Sequence, residues 1–355
     1  MSATPVLPST EEEIWRYSRI AELDLAAYGR GAVRTETIGA DAVRVDASLA
    51  GVAITESPDV FAALNAEHGA VLSLRIPRGT AVEKPIEIVH HVESDGIVAY
   101  PRLVIDAEEG SQVTVVERFV SVDGVESLVV PVLEVRSAAA ANVSYVAVNQ
   151  LGLSTWMIGH QQSVGHRDST TRVNTIALGG DYARVRAEVR LVEQGASAQQ
   201  LALYFASGTQ MHDFRTLQRH EAPRTHSDLL FKGAVGGSAR SVYTGLIRIE
   251  KNASKSEAFQ TNRNLTLGDG AWAESVPNLE IETNEVKCSH ASTVGSIDEE
   301  QRFYLESRGI PPHVAERLVV FGFFKDVLDR LPAGVDTAAL EVEIADKLRR
   351  EGVSA

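Results

Sequence analysis

The chain has 355 residues, a formal charge of −14 and a single cysteine. That charge argues against DNA, RNA or an anionic membrane surface as the main partner. No run approaches the roughly 18 apolar residues of a membrane helix, and MSATPVLPSTEEEIW lacks the basic and then apolar regions of a secretory signal, so a cytoplasmic protein is expected. One cysteine cannot close an internal disulfide, which leaves Cys288 as a free thiol or a ligand.

In chain order, 10–28 opens with an acidic turn, and Ile14, Tyr17, Ile20 and Leu23 recur on one face, which predicts an amphipathic docking helix. Two strand-like pieces, AVRVDA and GVAIT, then lead to a helix in DVFAALNAEHG that ends at Gly69. Residues 1–70 therefore read as a small mixed α/β entry region.

From Val71 to Val294 short β-branched runs follow one another with little helix between them: VLSLRIP, PIEIVHHV, PRLVIDA, QVTVVERF, NVSYVAVN and others. Small and polar turns recur at EEGSQ, AAANVS, HRDSTT, EQGASA, APRTHS and KNASKS, about 27 to 31 residues apart. ARVRAEVRLVEQGASAQQ from Ala183 matches ARSVYTGLIRIEKNASKSEA from Ala239, two periods on. A period of this length is too long for one hairpin and suits one coil of a solenoid, so residues 71–295 are expected to form a right-handed parallel β-helix. A β-sandwich is the competing fold. Residues 296–355 carry three helical patterns and are expected to form a C-terminal helical domain, its first helix capped by Ser296 with Glu299 and stopped by Gly309, Pro311 and Pro312.

Most of the chemistry-bearing residues point away from catalysis. GAVGGS at 233–238 lacks the lysine and hydroxyl of a phosphate loop and reads as a turn. His212, His220 and His226 have no zinc-ligand spacing and read as polar contacts on the coil surface, while the adjacent His90 and His91 point to opposite faces of a strand. Glu280 and Glu282 alternate with Leu279 and Ile281 and read as solvated. In the extended segment ending KCSH, Val286, Cys288 and His290 share one face, which sets a thiol beside an imidazole. Two ligands do not make a metal site, so a cluster built there must borrow ligands from a second subunit or be transient.

The stretch PNLEIETNEVKCSHASTVGSIDEEQRFYLESRGI, with KCSH, TVG, DEEQRFYL and SRGI in order, resembles the C-terminal signature of the SufB/SufD family of iron-sulfur cluster assembly proteins. The likeness continues upstream through YTGLIRIEKNASKSEAF, and the lack of cysteines beyond Cys288 makes the chain most similar to the SufD branch. The resemblance implies a β-helix core flanked by helical regions and a non-catalytic scaffold that pairs with a SufB-like paralogue. It also implies a SufC-like ATPase gripping the C-terminal helices, where Phe303, Tyr304, Arg308, Phe321, Phe323 and Phe324 are the expected partner-binding residues. His290, with Cys288 as a nearby contributor, is then expected to help hold a transient iron-sulfur cluster shared with the partner, with no stable cofactor. A β-helix carbohydrate-active enzyme and a metal-binding homodimer are the alternatives.

Overall fold

The computed structural model describes residues 5–48 and 50–350. Its body is a parallel β-solenoid of about eight turns. Each coil gives one strand to each of two sheets, of 12 and 9 strands. One sheet runs from Ala70–Ile76 through Pro101–Ala107, Val132–Ser137, Trp156–Gly165, Tyr182–Leu191, Met211–His220 and Arg240–Ile249 to Trp272–Ile281. The other runs from Ile86–His91 through Gln112–Val120, Asn142–Gln150, Thr170–Ala177, Ser197–Ala206, His226–Gly236 and Ser256–Leu267 to Val286–Gly295. The two-period match is real stacking: Leu191 lies over His220, and His220 over Ile249.

The recurring turns owe their spacing to one backbone conformation. Gly110, Ala140, Asp168, Gly195, Arg224 and Lys255 occupy equivalent corners, all with φ between 55° and 78°. A left-handed residue turns the chain sharply and costs a side-chain-bearing residue about 1 kcal/mol or more. Here it aims the amide along the stack. Gly110, Ala140, Asp168, Arg224 and Lys255 each donate their N–H to a carbonyl of the next coil. Only two of the six corners are glycine, so the repeat is invisible to a search for glycine motifs.

The ends of the solenoid differ. At the N-terminal end Arg34–Ile38 and Arg44–Asp46 pair antiparallel onto the first strands of the two sheets. Leu74, Ile76, Ile86 and Ile88 beneath them are fully buried. The expected helix over 10–28 is instead three single 3-10 turns, Glu13–Trp15, Ile20–Glu22 and Leu25–Ala27. The apolar residues there recur every three positions, the period of a 3-10 turn rather than of an α-helix, and the Ser18 hydroxyl donates to the Trp15 carbonyl at 2.6 Å. The segment docks all the same: Trp15 is fully buried, with the Arg184 guanidinium 3.9 Å from its ring centre.

The GVAIT piece is a loop, not a strand. The buried carboxylate of Glu134 fixes it by accepting from the N–H groups of Gly51, Ala53 and Ile54 and from Arg102. Burial alone would raise the pKa of Glu134; these four donors hold it below the usual carboxylate range instead. Helix α1, Val60–His68, follows, capped by the Asp59 side chain.

Three further helices close the chain: α2, Glu299–Glu306; α3, Pro312–Leu328; and α4, Thr337–Arg350. The N-cap of α2 is Asp298, whose carboxylate accepts from Glu300 and Gln301, and not Ser296. Gly309 follows with φ 83° and ends the turn. Helices α3 and α4 lie along the nine-stranded sheet, where Val320, Phe324, Val327, Leu340, Ile344 and Leu348 pack against strand residues such as Val146, Ile176 and Phe205. Two buried lysines fasten them: Lys232 pairs with Asp326 at 2.7 Å, and Lys347 donates to Gln210 at 2.6 Å. The solenoid wall thus takes up Val320, Phe324, Val327 and Leu328 of α3, while Leu318 stays exposed.

Candidate functional site

The last coil has nothing above it. Among the described residues Trp272–Ile281 pairs only with Arg240–Ile249, and Val286–Gly295 only with Ser256–Leu267, so both sheets end in unpaired edges. Such edges present rows of free N–H and C=O groups and are templates for another chain. The inward side chains that deeper coils bury are here part of the surface: Leu279, Ile281 and Val294 are 36%, 42% and 44% exposed.

Cys288 and His290 stand in this mouth. Strand alternation puts Val286, Cys288 and His290 on the inward face of the final strand, stacked over Ser256, Ala258 and Gln260. Cys288 is half-buried against Ile247, Ile249, Ala253 and Ala258. Burial pushes its thiol above the ordinary value, so the resting form is the neutral thiol. His290 is exposed. Across the opening the Ser292 hydroxyl meets that of Ser275 at 2.7 Å. Among the described residues no three His, Cys, Asp or Glu side chains come together to hold a metal ion. Any metal bound at this mouth needs donors from elsewhere.

Beside the mouth a groove of about 1100 Å³ runs between the final strands and α2 and α3, lined by Leu265, Thr293, Tyr304, Leu305, Leu318 and Phe323. Phe303 and Tyr304 are 70% and 56% exposed, and the Arg308 guanidinium lies 4.7 Å from the Tyr304 ring centre. Phe321 and Phe323 are partly buried against the α3–solenoid core. Phe324 is different: it is fully buried beside Phe205 and presents no surface to another chain. Helical periodicity marks an apolar face without saying what covers it, which is why Phe324 was grouped with its exposed neighbours.

The histidines also sort differently from their sequence reading. His212 and His220 are buried inside the coil rather than lying on its surface. His220 is held by Thr225 and Ser227 at 2.7 and 2.8 Å. His90 does face inward and His91 outward: His90 touches Glu117 at 2.8 Å, while His91 lies 3.7 Å from Glu36. Strand alternation assigns a side chain to a face without saying what fills that face, and here the interior is partly polar. Glu280 and Glu282 are exposed beside Arg248. The GAVGGS segment ends a strand and turns at Gly237, φ 63°.

The class is that of an open-ended parallel β-solenoid carrying a thiol and an imidazole on the inward face of its last coil. The comparisons give this class a family. Residues 90–323 match the SUF system FeS cluster assembly SufBD core domain. The chain is 33% identical to an iron-sulfur cluster assembly SufBD family protein of Mycobacterium tuberculosis, over 98% of this chain and 92% of the relative. It is 31% identical to SufD of Bacillus subtilis, over 76% of this chain and 63% of that protein, and 29% identical to SufD of Escherichia coli, over 74% and 63%. The chain belongs to the SufBD family of the SUF iron-sulfur cluster assembly system.

Proposed function

We propose that this chain is a SufD-like, non-catalytic scaffold subunit that docks its open solenoid mouth against a SufB-type paralogue and helps hold a nascent iron-sulfur cluster at the seam. The observation that carries this reading is the uncovered last coil, whose two free sheet edges and apolar rim surround Cys288 and His290. Iron and sulfide favour thiolate and neutral imidazole donors, and two donors on one chain call for the rest from a second. His290 is the principal ligand. Cys288 contributes when metal displaces the proton that burial keeps on its sulfur.

The second part of the proposal concerns α2. Phe303, Tyr304 and Arg308, beside the groove at the mouth, form the docking face for a SufC-type ATPase, with Phe321 and Phe323 behind them. Because α3 is bound to the solenoid wall through Phe324 and Lys232, movement of a docked ATPase is transmitted to the strands next to the mouth. A single free thiol suits a reducing compartment, and in this reading the chain acts in the cytoplasm.

The test is co-expression with a SufB-type paralogue and a SufC-type ATPase. His290→Ala is expected to leave the purified complex intact and to abolish cluster build-up followed by absorbance. Normal cluster formation by that variant would remove the proposed site, and failure of the three chains to co-purify would remove the scaffold reading.

A further inference from the structure

We infer that Gln260 is the positioning residue for His290, holding its imidazole once a partner covers the solenoid mouth; this rests on the reading of His290 given above. The two residues are register partners on adjacent parallel strands, facing the same way, with His290 one coil nearer the opening. Paired strands lie about 4.8 Å apart, so the two side chains project as neighbours.

Gln260 is 1% exposed, yet neither its amide nitrogen nor its amide oxygen has a hydrogen-bond partner. An orphan buried amide costs about 1 to 3 kcal/mol. The polar groups around it are already engaged: Tyr243 with Thr216 at 2.9 Å, Tyr204 with Asn264 at 2.6 Å, and Asn262 with Asn264 at 2.8 Å. The fold also clears space for the amide. A Cβ on Gly245 would lie 2.5 Å from the Gln260 Nε2, so the absence of a side chain there admits it. Gln200 and Gln218 are likewise unpartnered, but they lie deeper, and Leu229 stands between Gln200 and Gln260 in the same stack.

In the separate chain His290 is met by water. Docking removes that water, and a ligating imidazole needs an acceptor for the N–H of its second ring nitrogen. Gln260 offers an acceptor and a donor on one rotatable group, so it satisfies the imidazole with either nitrogen turned outward.

Gln260→Leu and Gln260→Glu separate a positioning role from a packing role. The leucine variant, as the separate chain, is expected to melt at or above the wild-type temperature, because a buried orphan amide is gone; it is then carried into the reconstituted complex with the SufB-type and SufC-type chains. Its cluster yield should fall about 10-fold or more, the usual scale for loss of a ligand's supporting hydrogen bond. The ¹⁴N hyperfine coupling of the reduced cluster, read by pulsed EPR, should change. Gln260→Glu, which keeps the acceptor, should recover most of the yield. Wild-type yield and coupling in Gln260→Leu would overturn the inference, as would a yield that falls only in step with the melting temperature. His290→Ala run in parallel keeps the two readings apart. If it assembles clusters normally, the site itself is wrong; if it is blocked while Gln260→Leu is normal, only the role of Gln260 is lost.

Discussion

The two ends of the solenoid are made from the same kind of coil and finished in opposite ways. At one end, two antiparallel strands and the Ala40 and Val43 side chains between them cover Leu74, Ile76, Ile86 and Ile88 completely. At the other, the equivalent inward row of Leu279, Ile281 and Val294 remains partly in solvent beside two free edges. A free edge is a template for pairing with another chain. The contrast therefore sets residues that seal the core against residues left at an open edge.

The largest break is expected at Glu134, which pins the 51–54 loop onto the outer face of the 12-stranded sheet. Glu134→Ala strands Arg102 and three backbone N–H groups, and should lower unfolding free energy in urea by about 3 to 5 kcal/mol. It should also open that loop to protease. A paired truncation then tests the contrast itself. Ile86→Ala at the sealed end should cost about 2 to 5 kcal/mol, whereas Ile281→Ala at the mouth should cost less than about 1 kcal/mol while weakening complex formation. Equal losses of stability at the two ends would erase the distinction.

Acid provides a smaller effect. Burial holds His212 down to about 3, with help from the Lys347 charge, and His220 down to about 4, with help from His226. Both rings are neutral in the fold but titrate near 6.5 once unfolded. The unfolded chain therefore takes up protons first as pH falls, and stability is lost between about pH 6.5 and pH 3 to 4. The urea midpoint should drop from pH 7.5 to pH 5, and His220→Gln should flatten that slope. The smallest effect belongs to Lys287, on the outward face of the final strand, where its pair with Glu257 is open to solvent. Lys287→Ala should leave the midpoint unchanged.

Much of this was legible because a solenoid writes its geometry into spacing. The turns at EEGSQ through KNASKS recur because each coil needs one left-handed corner, and the composition of those turns carries that need even where the corner is Ala140 or Arg224. The thiol and imidazole were legible because strand alternation is strict. Illegible features depended on contacts distant in sequence. Nothing in GVAIT reveals that Glu134, some 80 residues on, withdraws its amides from a sheet. Nothing in the helical patterns distinguishes Phe324 on α3, pressed on Phe205, from the exposed Phe303 on α2. The orphan amide of Gln260 has no local signature, because only the next coil shows what it faces.

The left-handed corners also make the molecule adjustable in length without being redesigned. Excising one whole repeat, from one such corner to the next, rejoins equivalent backbone and keeps every remaining side chain on its original face. It draws the sealed end and the open rim together by one strand spacing, about 4.8 Å. Removing a single residue instead reverses inside and outside along the affected strand. Evolution or an engineer can thus set the distance between the two ends in discrete steps, as with links in a chain.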